Sequence, residues 1–253
     1  PCPEDREAVP VTLDFIAASL NLPSQVRGKK SSLYAHPKRT RAALRLWNAN
    51  RVEVIGLQEL ATMSRTQIRA RRRWGLAVST NDVFPFRRIG NGVAWRKDKW
   101  TLLGRDTIHV VTPTHPKRGV RFPVVTLQNR DEPTVRLVFI AVHIPTAVAM
   151  GQALRLRKDS PGVIAARAKI NAQVLAVANT YVARGLPVLI AGDFNDGHVR
   201  RLYHGWTVGA QHQVDHVFGR GVRFGPDLDI PTGRISDHPM MPTVPIQLTI
   251  PRH

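Results

Sequence analysis

Leu186-Pro187-Val188-Leu189-Ile190-Ala191-Gly192-Asp193-Phe194-Asn195-Asp196 runs from an apolar segment straight into oxygen-bearing side chains. The apolar run from Leu186 to Ala191 predicts a short strand buried on both faces. Asp193 and Asn195 stand two apart where it stops. In extended backbone alternate side chains face the same way, so both polar groups point into one pocket. Gly192 leaves room for a substrate or metal to approach the backbone. On its own the stretch reads first as a strand closing in an Asx turn. Other apolar runs that end or begin on similar residues change that reading.

Working outward, Thr12 to Leu20 predicts a strand with Asn21 at its end, and Pro23 forbids its continuation. Val52 to Leu57 predicts a second, ending at Gln58 and Glu59. Val135 to Val142 is the longest strongly apolar strand and ends at His143. Asp215 opens a strand over Val214 to Phe218, and Asp237 and His238 precede the last, from about Met240 to Leu248. Laid side by side, such strands gather their ends on one rim, where loops are free to form a site. Every buried strand must end in something polar, so one such residue carries no information; the set does. Carboxylates and amide oxygens suit Mg²⁺ or Mn²⁺ better than zinc. A hard cation beside two histidines and several acids is apparatus for hydrolysing a phosphate ester, the histidines moving protons near neutral pH.

The remaining pattern fills in an α/β domain. Pro37 suits the first turn of a helix to about Asn48, with Ala43, Leu46 and Trp47 inward and Lys38, Arg39, Arg41 and Arg45 on a solvated face. Ser64 to Arg73 predicts a helix in which Arg65, Arg69, Arg71, Arg72 and Arg73 form the densest basic stretch, followed by Trp74. Two readings stay open there: arginines gripping phosphates beside a base-stacking indole, or a solvated helix end packed by one tryptophan. Strands are expected over Leu76 to Ser79, Gly92 to Arg96, Trp100 to Val111 and Val120 to Gln128, with Thr112 to Gly119 an exposed loop. Asn91 is a substrate contact or a turn residue. After His143 a loop with Arg155, Arg157 and Lys158 leads to Ser160 and Pro161, a good helix start. Val163, Ile170, Val174, Val177 and Tyr181 then form one stripe, and Gly185 closes the helix. Asp196, His198, Arg200 and Arg201 read as loop and helix-start residues. No solenoid period recurs.

Thirty-seven Lys and Arg against eighteen Asp and Glu give a net charge of +19. That excess favours a polyanionic partner, nucleic acid ahead of an acidic membrane surface. With 43% hydrophobic residues a sizeable core can form, and no apolar stretch approaches the ~20 residues of a membrane helix. Cys2 is the only cysteine, so an intrachain disulfide and a cysteine metal cluster are both excluded. Residues 1–10 are expected to be a flexible lead-in to a single domain over 11–253. The chain begins with Pro, which implies removal of something upstream; compartment, intracellular or secreted, stays open.

Taken together, Asn21 after its strand, Gln58 with Glu59, Gly92 to Arg96, His143 with Ile144 and Pro145, Gly192 to Asn195, Val214 to Val217 and Ser236 to Pro239 resemble the endonuclease/exonuclease/phosphatase family. These are metal-dependent phosphoesterases that include pancreatic-type deoxyribonucleases, abasic-site endonucleases, sphingomyelinases and inositol phosphatases. The resemblance spans Phe15 to about Pro245. It implies a four-layered α/β sandwich, two packed, mainly antiparallel sheets flanked by helices; a monomer is expected. It implies Glu59 as principal Mg²⁺ ligand, with Mn²⁺ a substitute, and Asn21 and Asp237 completing the metal site. Asp193 would orient or activate water and Asn195 hold the phosphate. His238 would act as base or phosphate ligand with Asp215 fixing its tautomer, and His143 would contact the phosphate and protonate the leaving group. No acidic partner for His143 is assigned. Arg71, Arg72, Arg73, Trp74 and Asn91 are the candidate substrate contacts. The activity implied is a DNA nuclease leaving 5′-phosphate and 3′-hydroxyl ends. A phospholipid or inositol phosphate is the alternative substrate, for which an apolar tip at Val83 to Phe86 would serve. A non-catalytic nucleic-acid-binding relative would lack an acid or histidine that this chain keeps.

Overall fold

Two parallel strand pairs organise the molecule, a computed structural model that describes residues 10–22, 36–81 and 89–250. The lead-in over 1–9 and the apolar Val83 to Phe86 lie outside the described residues. In chain order the strands are β1 (Val11–Asn21), β2 (Val54–Leu60), β3 (Trp74–Asn81), β4 (Ile89–Arg96), β5 (Trp100–Thr112), β6 (His115–Asn129), β7 (Arg136–His143), β8 (Val188–Asp193), β9 (Thr207–His212), β10 (Asp215–Arg220), β11 (Arg223–Phe224), β12 (Ile230–Pro231), β13 (Met240–Met241) and β14 (Thr243–Ile250). The α-helices are α1 (His36–Ala49), α2 (Thr62–Arg69), α3 (Ala147–Leu154) and α4 (Pro161–Val182).

One six-stranded sheet has the order β11-β14-β1-β2-β4-β3, the other β5-β6-β7-β8-β10-β9; β12 and β13 form a small ladder. β1 and β2 are parallel, as are β7 and β8, and the other neighbours are antiparallel. A parallel pair needs a crossover: α1 supplies it in the first sheet, and α3 with α4 in the second. The expected sandwich of two sheets with outer helices is what forms.

Phe15, Trp95, Leu137, Phe139, Leu189 and Val217 fill the gap between the sheets. Trp47, Ile55, Leu57, Ile68 and Trp74 pack α1 and α2 on one outer face, and Phe122, Ile140, Ile170, Val174 and Phe218 pack α4 on the other. α4 starts where expected, with the Ser160 hydroxyl accepting from Val163 N–H, and its stripe faces the core.

Local differences have physical causes. The loop expected after His143 contains α3, capped by the Thr146 hydroxyl accepting from Ala149 N–H at 3.0 Å. Its apolar residues show no helical stripe because the helix is only two turns long. The loop expected over Thr112 to Gly119 is a tight hairpin, β6 resuming at His115. α2 stops at Arg69, so Arg71, Arg72 and Arg73 sit in the turn before β3. β2 continues past Leu57 to Leu60 through an irregularity in its pairing with β4.

Candidate active site

The parallel pairs explain why distant residues meet. Parallel strands end on the same side, so Asn21 lies beside Gln58 and His143 beside Asp193. β10 runs back antiparallel from the same rim, which sets Asp215 beside Asp193. The segment before β13 brings His238 over this line.

His238 is the hub. Its Nδ1–H donates to Asp215 Oδ2 at 2.5 Å, Asn21 Nδ2 faces its Nε2 at 3.2 Å, and Asp193 Oδ2 is 3.7 Å from Nε2. His143 Nε2 is 3.5 Å from the same Asp193 oxygen, so Asp193 is the carboxylate that accompanies His143. Burial opposes charge on His238. The Asp215 hydrogen bond and the negative charges of Asp215, Asp193 and Asp237 outweigh it, pushing the imidazole up to about 9. Burial also raises the Asp215 carboxyl, against the His238 bond. The pair shares one proton, which stays on Nδ1 because several carboxylates face the ring. In the neutral ring Nε2 is then the basic atom.

The loop after β8 is held from several sides. Asn195 takes a left-handed φ of 50°, which asparagine tolerates, and its N–H donates to Asp193 Oδ1 at 2.8 Å. Its Nδ2 donates to Ile144 O at 2.7 Å, so one of the two amide hydrogens is committed to the loop. Gly192 has a different purpose from the one expected: a Cβ there would lie 2.0 Å from the Val142 carbonyl, so close packing of β7 on β8 requires it. Two supporting residues escaped the sequence reading. Arg167 on α4 donates through Nη2 to Phe194 O at 2.9 Å and Asn195 O at 2.7 Å, and its Nη1 is 3.7 Å from Asp196. His216 is fully buried between Phe194 and Phe218, and its Nε2–H donates to Asp196 O at 3.1 Å. Burial drops it to about 4, so it is neutral.

Opposite this loop, Glu59 sits at φ 53° within the β2 irregularity, which turns its side chain out of the regular alternation. Arg65, part of the densest basic stretch, is buried and clamps the adjoining Leu60 carbonyl through Nε and Nη2 at 3.1 and 2.9 Å. Arg39, expected on a solvated face, is 1% exposed. Burial lowers its guanidinium, and the charges of Asp237 and Glu59 act against that, so both acids lie in its field.

Among the described residues one group is compact enough to hold a cation. Ligand atoms of Asp193, Asp215 and His238 lie within 4.8 Å of one another, but Asp215 and His238 already satisfy each other through a proton, which a cation would have to displace. The expected ligands Glu59 and Asp237 both lie in the field of Arg39, and Asn21, beside His238, adds an amide oxygen. Asn21 Oδ1 is buried and accepts no hydrogen bond from the described residues, as an oxygen kept for a ligand would. The donor set fits Mg²⁺ or Mn²⁺.

The expected contacts from Arg71 to Trp74 are not gathered at the rim. Trp74 is 2% exposed and packs edge-on to Trp47 at 5.2 Å, so it has no face for a base. It pairs with Arg96, whose N–H donates to Glu53 O. That level is about 20 Å along β2 from Glu59 at ~3.3 Å per residue. Arg71, Arg72 and Arg73 therefore belong to the opposite end of the sheet. Asn91 is a strand residue, not a turn residue, and its neighbours Gly92 and Gly90 pair with Leu57 and Leu60, which sets it at the level of Glu59; it is buried, and its Nδ2 donates across the gap to Arg121 O at 2.9 Å.

No match is found among curated protein sequences. Among solved structures, a Bacteroides thetaiotaomicron mannosyl-6-phosphatase superposes with TM-score 0.70 at 14% identity, covering 92% of this chain and 99% of that one. D. rerio TDP2 complexed with a single-strand DNA product gives 0.61 at 14%, covering 92% and 98%. ANGEL2, a 2′,3′-cyclic phosphatase with adenosine-2′,3′-vanadate, gives 0.65 at 14%, covering 94% and 96%. At these identities the likeness speaks for the fold. The sequence model of one family of hydrolytic phosphoesterases, typically dependent on divalent metals, matches residues 18–238, and the chain belongs to that Endonuclease/Exonuclease/phosphatase family.

Proposed function

We propose that this phosphoesterase is a Mg²⁺-dependent nuclease that hydrolyses DNA to 5′-phosphate and 3′-hydroxyl ends. The observation that carries the chemistry is the convergence of His238, Asp215, Asp193, His143 and Asn21 on one rim. The net charge of +19 carries the substrate class, because a polyanion gains most from such a surface. The single-strand DNA product held by a protein of the same fold agrees with it.

Glu59, Asn21 and Asp237 would hold the cation, which when bound would neutralise the negative charge developing on the phosphoryl oxygens. Asp193 orients a water against the phosphate, and His238 Nε2 takes that water's proton. Asp215 keeps the other ring proton on Nδ1 and stabilises the imidazolium that results. As the water oxygen bonds to phosphorus the P–O3′ bond breaks, and His143 gives O3′ its proton. Asn195 offers its second amide hydrogen to a phosphate oxygen.

The test is supercoiled plasmid incubated with and without Mg²⁺ beside a Glu59→Ala variant. Nicking by the wild type with Mg²⁺ alone is expected. Intact plasmid in every lane, with phosphate released from a phospholipid or inositol phosphate, would transfer the same chemistry to the alternative substrate.

A further inference from the structure

Away from the rim, α1 and the turn before β3 enclose a pocket of about 330 Å³ walled by Arg41, Arg45, Arg71, Arg72 and Arg73, with Trp74 below. All of these arginines are exposed, and among the described residues Arg41, Arg45, Arg71 and Arg72 make no ion pair. Asp98 lies in the field of Arg73 but is already bound through Nε and Nη2 of Arg96 at 2.8 and 2.5 Å. Arg41 and Arg45 stand one helical turn apart, and Arg71 to Arg73 are consecutive. Like charges so placed repel, and a concave wall concentrates their field.

We propose that this pocket is a second anion site that grips the phosphodiester backbone of a nucleic acid, its wall from Arg71 to Arg73 about 20 Å, along the strand axis, from the level of Glu59. The proposal rests on the nuclease reading for what the rim does to that strand, and on the pocket alone for binding. Guanidinium forks match phosphate oxygens in pairs. An acidic membrane is the poorer occupant: membrane-seated surfaces present protruding apolar side chains, whereas the apolar lining here, Leu44 and Trp74, is buried. At 3.4 Å per base pair the separation corresponds to roughly six base pairs of duplex.

The experiment is the salt dependence of binding to a 20-base-pair duplex in EDTA, without cleavage. It compares wild type with Arg71→Ala/Arg72→Ala, Arg41→Ala/Arg45→Ala, the charge-keeping Arg71→Lys/Arg72→Lys, and a charge-matched control, Arg130→Ala/Arg136→Ala. Melting curves establish that each is folded. Each alanine pair in the pocket is expected to reduce the log–log salt slope by about two, while the lysine pair and the control keep it. Pocket variants that match the control, or a wild type that does not bind the duplex, would overturn the site. So would a loss seen on phosphatidylserine vesicles but not on duplex. Binding without cleavage once Mg²⁺ is supplied would remove the nuclease reading and leave the pocket; cleavage with undiminished slopes in the pocket variants would do the reverse.

Discussion

The guanidinium of Arg167, on α4, donates to the carbonyl of Asn195 at 2.7 Å, so the outer helix fixes the loop that follows β8. Because the same Nη2 also holds Phe194 O, Arg167→Met leaves both carbonyls without this donor. A loss of about 3 kcal/mol in urea unfolding is expected. The turnover number should fall more than KM rises, since the loop positions Asp193. Arg167→Lys, a point charge without the fork, should recover only part of each. Full activity in Arg167→Met would separate the helix from the chemistry.

The His238–Asp215 pair makes a signed pH prediction. Asp215 raises the imidazole, so Asp215→Asn lowers it toward the ordinary histidine value or below, burial no longer being opposed by that charge. If Nε2 accepts the proton, the rate rises with pH as His238 deprotonates. The variant's ascending limb should then move to lower pH, with the plateau about 10²–10⁴-fold down. A pH–rate profile unmoved by the substitution would remove His238 from proton transfer.

His216 ties stability to acid. Its folded value of about 4 lies below the unfolded value of 6.5, so on acidification the unfolded chain binds the proton first. The contribution is intact above pH 6.5 and lost progressively down to about 4, amounting to about 3 kcal/mol. Denaturant unfolding at stepped pH should show this loss in the wild type. His216→Phe, which keeps the contacts with Phe194 and Phe218, should show a shallower one.

Arg39 is the counter-charge facing Glu59 and Asp237. Arg39→Met should lower the melting temperature in EDTA, because two acids then lose this opposing charge. It should also enlarge the stabilisation by added Mg²⁺, which takes over that neutralising role. An identical Mg²⁺ response in variant and wild type would place the cation elsewhere.

Strand ends were legible because each is a local event, an apolar run stopping at a polar residue. Asn21, His143, Asp193 and Asp215 follow from that rule together with the parallel pairing that aligns them. Arg39, Arg65 and Arg167 were not legible. Each sits in a helix among other cations, and what distinguishes it is a carbonyl or carboxylate brought up by another element. Trp74 misled because arginines next to an aromatic describe a phosphate grip and a packed turn equally well; only the Trp47 contact decides. The distance of Arg71 to Arg73 from the rim depends on the direction of β3, which composition does not encode.

The claim beneath the mechanism is that one divalent cation sits among Glu59, Asn21 and Asp237, beside the proton-handling pair. Anomalous scattering from a Mn²⁺-soaked crystal tests it most directly. The account predicts a peak at about 2.0–2.3 Å from a Glu59 carboxylate oxygen, with Asn21 or Asp237 oxygen in its coordination sphere. A rim without a peak, or a peak held by Asp193, Asp215 and His238 with Glu59 uninvolved, would contradict it.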